Sequence, residues 1–323
     1  MKKNHIKKIL LSVFVLFIVS FLFNQVLAFE KSKIDVTPQN DFVVEPGKTE
    51  IFLNPGESVI KNIAITNRIN KTIKFKLTTE DMVGTTDSNS AIKLLGDEVG
   101  PYSIKNFIEP EISEFSLGFG EKIVVPVRVS IPLDAEPKGY YGALIVSNEP
   151  EVFSEEQSKD AEGKARLVSR IGSLFFLRIN GEGQELGSLQ EFKTIGPKKA
   201  FYERNPKGFE ILFKNEGNVH LVPYGKIIIR NMLGREVMMI PVDAYFSLPN
   251  SVRYREVLME GGTGLGRYTA HLSLYKGYGN ENEEATQAFW IIPWKILVAT
   301  FVGLFIIISI IYYILTRFEI KKK

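Results

Sequence analysis

The most regular signal in the chain is a period of two. Ile123, Val125, Val127, Val129 and Ile131 alternate with Lys122, Pro126, Arg128 and Ser130, a spacing that sets one face of a β-strand on a core and the other toward solvent. The same alternation runs through Ile63 and Ile65, through Ile73, Phe75 and Leu77, through Phe209, Ile211 and Phe213, and through Tyr268, Ala270, Leu272 and Leu274. Turn residues separate these runs, as in Asn54-Pro55-Gly56-Glu57, Asn215-Glu216-Gly217-Asn218 and Leu233-Gly234-Arg235-Glu236. The spacing predicts strands over 58–67, 73–78, 122–131, 141–146, 170–179, 224–231, 237–241, 252–257 and 267–274. It pairs the neighbours 58–67 and 73–78 as a hairpin, and 141–146 with 170–179. Pro126 cannot donate to a ladder, which predicts an open edge or a bulge there. Residues 81–103 read as a long loop with a short strand near 92–95.

Two segments echo each other, Gly139-Tyr140-Tyr141-Gly142-Ala143 and Gly266-Arg267-Tyr268-Thr269-Ala270, consistent with an internal duplication. No convincing helical period appears outside two apolar segments. The expected fold is therefore all-β: two tandem immunoglobulin-like β-sandwiches plus one C-terminal transmembrane α-helix. The first sandwich is expected over 29–182, with a charged loop at 149–164, and the second over 183–288.

Residues 296–315 form an uncharged apolar run, long enough to cross a hydrocarbon core of about 30 Å. Trp290, Trp294 and Lys295 before it and Arg317 after it are the expected membrane-boundary residues. The Lys and Arg bias puts the tail at 316–323 in the cytoplasm and the N-terminus outside, a single-pass protein of the cell membrane. At the other end Lys2, Lys3, Lys7 and Lys8 precede apolar residues 9–23, and Val26-Leu27-Ala28 offers a cleavage site after Ala28. Residues 1–28 thus read as a signal peptide, the other reading being an uncleaved anchor; either exports the β-rich part of the chain.

A net charge of +3 on 323 residues argues against a nucleic-acid partner. Cysteine is absent, which excludes disulfides, thiolate nucleophiles and zinc-cysteine sites. Of three histidines, His5 belongs to the signal peptide, His271 falls on the polar side of its strand, and His220 comes after a turn, as a packing residue or a surface contact. Gly261-Gly262-Thr263-Gly264-Leu265-Gly266 lacks the Lys-Ser/Thr ending of a phosphate loop and precedes a strand, so it reads as a flexible turn. Asp81, Asp87, Asp97 and Glu98 lack calcium-loop spacing. Tyr140, Tyr141, Tyr202, Tyr275 and Tyr278 read mainly as packing, with carbohydrate or protein contact the alternative. No catalytic, cofactor or metal residue is assigned. A non-enzymatic role is expected, with cell-wall polymer or another surface protein as partner, or a membrane-anchored accessory that holds neighbouring surface proteins.

The Asn54-Pro55-Gly56-Glu57-Ser58-Val59 turn, Ile63-Ala64-Ile65-Thr66-Asn67, Pro137-Lys138-Gly139-Tyr140-Tyr141-Gly142, Ser169-Arg170-Ile171-Gly172 and Phe213-Lys214-Asn215-Glu216-Gly217-Asn218-Val219-His220 together resemble the WxL-interacting protein family. The resemblance covers the whole chain in layout and implies a surface protein with a signal peptide, two β-sandwiches and a C-terminal anchor. It further implies a peptidoglycan-associated first domain and a second that meets WxL-type or host proteins. No binding motif of the family carries over residue by residue.

Overall fold

The computed structural model describes residues 31–87, 90–148, 168–197, 199 and 201–317. The expected signal peptide with Ala28, the charged loop at 149–164 and residues 318–323 lie outside them. The first half of the chain forms β1 (Lys31–Lys33), β2 (Phe42–Glu45), β3 (Lys48–Leu53), β4 (Ser58–Asn67), β5 (Ile73–Gly84) and β6 (Ile92–Leu94). It continues with β7 (Ile108–Pro110), β8 (Glu114–Leu117), β9 (Glu121–Ser130), β10 (Gly139–Asn148) and β11 (Arg170–Ile179). The second half forms β12 (Gly187–Thr194), β13 (Phe201–Tyr202), β14 (Gly208–Asn215), β15 (Tyr224–Asn231) and β16 (Glu236–Val242). Then come β17 (Ser251–Leu258), β18 (Gly266–Tyr275), β19 (Asn282–Ile291) and the helix α1 (Trp294–Arg317).

Four sheets result. In the N-terminal half, one has the order β1-β9-β4-β2 with β7 also on β9, and the other β3-β11-β10-β5-β6 with β8 also on β5. In the C-terminal half the orders are β12-β14-β17 and β13-β19-β18-β15-β16. Each pair of sheets faces inward on its own apolar cluster: Ile63, Ile65, Val125 and Val127 meet Phe75, Leu144 and Phe175 in the first. Phe209, Ile211 and Phe213 meet Ile227, Leu272 and Phe289 in the second. Among the described residues the molecule is thus mostly β-sandwich, with one apolar helix after it.

The predicted pairing of 141–146 with 170–179 is present as β10 on β11. The predicted hairpin of 58–67 with 73–78 is not: β4 pairs with β9 and β2, whereas β5 lies in the opposite sheet beside β10. The cause is Asn67. Its buried side-chain oxygen accepts the Ile69 N–H at 2.9 Å, and its amide donates to the carbonyls of Lys71 and Leu117, each at 2.9 Å. These bonds bend 67–72 into an arch that carries the chain across the core instead of back along the same sheet.

Asn215 repeats the device at the end of β14. Its oxygen accepts the Gly217 N–H at 2.9 Å, and its amide donates to the carbonyls of Val219 and Ser247, each at 2.8 Å. The offsets of two and four residues are the same at both asparagines, and the next strand after each arch lies in the opposite sheet. The parallel pairings of β3 with β11 and of β13 with β19 also match.

At Pro126 the ladder to β4 continues without a register shift, with Asn62 opposite. The Pro126 carbonyl accepts the Glu111 N–H at 3.0 Å, so the absent donor faces that same side, where β1 stops at Ile123 and β7 starts at Val127. The result is an open edge between two short strands, without a bulge. Residues 81–84, expected in a loop, extend β5, with Asp81 opposite Gly142 of β10 and 82–84 paired with β6. β19 runs through the expected end of the second sandwich at 288 to Ile291.

Asn215→Ala is expected to strand the buried Val219 and Ser247 carbonyls and to destabilise the C-terminal sheet pair by about 3 kcal/mol. Asn67→Ala should act similarly on the N-terminal pair. Urea unfolding of the two variants against the parent, monitored by tryptophan fluorescence and circular dichroism, checks both.

Candidate functional site

The most specific arrangement among the described residues is the joint where the two sheet pairs meet. β10 is buried along both faces from Gly139 to Val146, and at its start it meets the other half of the chain through Gly139 and Tyr141. Met82, Tyr141, Phe176 and Leu248 form a small apolar cluster there, with Tyr102, Leu174 and Phe246 packed around it. The Phe176 and Phe246 rings meet edge to face at 4.9 Å, and Lys48 Nζ lies 5.3 Å from the Phe176 centroid. β5 comes so close to β17 that a Cβ added at Gly84 would stand 2.3 Å from the Ser251 Cβ, so only glycine fits.

Polar groups fix the joint. The Tyr141 hydroxyl accepts the His220 backbone N–H at 2.6 Å and lies 3.3 Å from His220 Nδ1. The His220 ring stands edge to face with Phe176 at 5.2 Å. The Gly139 N–H donates to the Asn218 carbonyl at 2.9 Å, Asn250 Nδ2 donates to the Tyr102 hydroxyl at 3.0 Å, and Arg178 pairs with Glu185 at 2.7 Å. Gly139 is required locally, because the Tyr141 ring two residues on folds back over it on the same strand face. His220 is therefore a packing residue. Burial lowers its pKa to about 4, and burial pushes the Tyr141 hydroxyl well above the ordinary tyrosine value.

A second feature is the open flank of the C-terminal pair. β16 and β17 are edge strands of opposite sheets and bound a cleft of about 410 Å³ lined by Met238, Met239, Val257, Leu258 and Arg255. Arg253 and Arg255 pair opposite the core residues Phe213 and Ile211 and so occupy inward positions on an edge strand. Charges placed that way oppose pairing with a further strand.

The expected membrane-boundary residues separate. Trp290 lies on β19 opposite Arg267, with its ring 6.5 Å from Phe201. Trp294 is the first residue of α1, and Lys295 pairs with Glu203 at 2.9 Å while lying 5.8 Å from the Trp294 ring. Arg317 is the last helical residue, 5.9 Å from the Tyr313 ring. α1 has no buried residue and is long and apolar enough to cross a membrane.

The acidic loop residues do not assemble. Asp81 is buried, with its carboxylate accepting the N–H groups of Gly100 and Ile104, both at 3.0 Å. No group of three His, Asp or Glu side chains suited to a metal occurs among the described residues. Tyr140 packs on Phe107, Tyr202 bonds Thr194, and the Tyr278 hydroxyl accepts the Gly187 N–H. Tyr275 stacks on Tyr224 at 5.2 Å. His271 is half-buried. The Gly261 to Gly266 turn is held by Asn205, whose amide donates to the Gly261 carbonyl at 2.7 Å.

No protein-family model matches the chain, and no curated protein does. Among solved structures it is similar to the class 5 fimbriae chaperone CfaA, at 10% identity and a TM-score of 0.39 over 78% of this chain and all of that one. It is also similar to the YadV chaperone, at 10% identity and a TM-score of 0.36 over 77% of this chain and 100% of that one. A third similarity is to the CsuC-CsuE chaperone and tip subunit pre-assembly complex of Acinetobacter baumannii Csu pili, at 12% identity and a TM-score of 0.36 over 76% and 97%. Likenesses at these values assign neither a family nor a ligand.

The joint supports two predictions. Tyr141→Phe leaves the buried His220 N–H without its acceptor, an expected cost of about 1–3 kcal/mol in urea unfolding. The depressed His220 pKa makes stability pH-dependent. The unfolded chain binds a proton near pH 6.5 that the folded joint refuses until about pH 4. The contribution is complete above pH 6.5, falls with pH, and is lost by about pH 4, a total on the order of 3 kcal/mol. Urea midpoints across that window should slope in the parent and be flatter in His220→Gln.

Proposed function

We propose that this chain is a non-enzymatic, single-pass membrane protein whose two sheet pairs are tandem immunoglobulin-like domains displayed outside the cell to bind cell-wall polymer or another surface protein. The observation that carries the reading is the unbroken passage from a β-sandwich into an apolar helix. The Ile292 N–H donates to the Tyr202 carbonyl at 2.8 Å, and α1 starts two residues later. An exposed 24-residue helix of this composition is stable in water only if something covers it, and a bilayer is the cover its length fits. Trp294, Lys295 and Arg317 are its boundary residues, and the excess of Lys and Arg after the helix supports a cytoplasmic C-terminus.

Membership of the WxL-interacting family is proposed on the sequence resemblance alone. Under it, the N-terminal pair would meet peptidoglycan and the C-terminal pair a WxL-type partner. The second reading, an assembly accessory that holds neighbouring surface proteins, is favoured by the flank between β16 and β17, where an open cleft lined by Met238, Met239 and Leu258 offers side-chain contact and not strand addition.

The full chain in right-side-out membrane vesicles should resist extraction by salt and alkali, with an epitope after Lys323 protected from added protease and the sandwiches digested. Detergent-solubilised full chain should then be retained by insoluble peptidoglycan or co-purify with a defined surface protein from the same membranes. Extraction by alkali overturns the anchor. Retention by neither overturns the binding role.

A further inference from the structure

One end of the C-terminal sheet pair is brought to the start of α1 by strand register. Ile291 pairs with Gly266 and Phe289 with Tyr268, and Tyr268 in turn pairs with Asn231. The β15–β16 hairpin therefore turns over at the same end of the sheet from which the helix leaves. Its tip lies within about 10 Å of the helix start along the strand axis, at roughly 3.3 Å per residue. β13 and the loop before β18 reach that end too, through the pairing of Phe201 with Trp290 and the bond from Asn205 to Gly261.

The side chains at this end are not those of an ordinary loop surface. Met232 and Leu233 on the hairpin tip are 71% and 73% exposed, Phe201 60% and Leu265 59%. Two exposed cations, Arg204 and Arg235, follow Phe201 and Leu233 closely in sequence, while Glu203 is engaged by Lys295. Large apolar side chains on separate loop tips, mixed with cations, form the pattern of a surface that lies on a bilayer.

We propose that this end of the C-terminal sheet pair docks on the membrane surface. Met232, Leu233, Phe201 and Leu265 enter the interfacial layer, and Arg204 and Arg235 meet anionic headgroups. The proposal rests on the reading of α1 as a spanning helix. It adds a second, non-covalent attachment that fixes how the sandwich stands on the bilayer.

The chain has no cysteine, so single cysteines can carry an environment-sensitive fluorophore without background. Leu233→Cys, Leu265→Cys, Ile306→Cys within α1 and Leu133→Cys on the N-terminal pair are labelled in the full chain. Each is reconstituted into phosphatidylcholine vesicles with and without phosphatidylglycerol and with headgroup-level or acyl-chain quenchers. Labels at 233 and 265 should shift to the blue and lose intensity to the headgroup quencher, the label at 306 to the acyl-chain quencher, and the label at 133 to neither. Arg204→Gln with Arg235→Gln should remove the dependence on phosphatidylglycerol. An unquenched label at 306 overturns the spanning reading. Quenching at 306 with labels at 233 and 265 no different from 133 overturns the docking alone, and leaves this end free for a protein partner. Equal quenching with and without phosphatidylglycerol overturns the role given to the arginines.

Discussion

The arrangement of the described chain depends on one buried hydroxyl, that of Tyr141. Its ring occupies the outer face of β10, a face that a lone sandwich would leave in water, and meets Phe176 and His220 edge to face at 5.5 and 5.7 Å. Burying that oxygen without a partner would cost several kcal/mol. The His220 N–H supplies the partner from the other half of the chain. The apolar cluster and the hydrogen bond therefore form together or not at all. The bare approach at Gly84 enforces the same choice sterically, since any side chain there would hold β5 and β17 apart.

Within each half, one asparagine does for the sandwich what Tyr141 does for the joint. Asn67 and Asn215 are both fully buried and satisfy three backbone groups apiece in an arch that has no ladder of its own. A buried network that is completely satisfied specifies one geometry, because every alternative leaves a polar group unpaired. The repetition of the device with the same residue offsets, beside matching sheet orders, makes β10 and β18 equivalent strands of their sheets. The Gly-x-Tyr-x-Ala echo on them is out of phase, since Tyr141 faces the joint whereas Tyr268 faces its own core.

Strands whose apolar residues alternate over five or more positions were legible in the sequence, β9, β14 and β18 among them. Their core contacts derive directly from the period. β19 was not legible: it reads Asn-Glu-Glu-Ala-Thr-Gln-Ala-Phe-Trp-Ile, and only Phe289 and Ile291 are buried, so its pairing with β18 rests on backbone bonds more than on side-chain burial. The hairpin expected of β4 and β5 failed because adjacency in sequence says nothing of an arch, and the signal for the arch was a single Asn after an alternating run. Tyr141 and His220 carry no local pattern at all. Their partnership spans 79 residues and appears only when the halves meet. The helix was the most legible element, since its signal is composition over its own length.

The joint and the helix lie at opposite ends of the C-terminal sheet pair. Asn215 and Ser251, beside the joint, pair with each other, and Gly208 pairs with Leu258 at the other end of the same two strands. The eight residues of β14 span on the order of 25 Å at about 3.3 Å each, and that length separates the N-terminal pair from the start of α1. The Ile292–Tyr202 bond at the helix start and the contacts of the joint stand at the two ends of that length. Acid acts on this arrangement at the joint, where the buried His220 imidazole resists protonation.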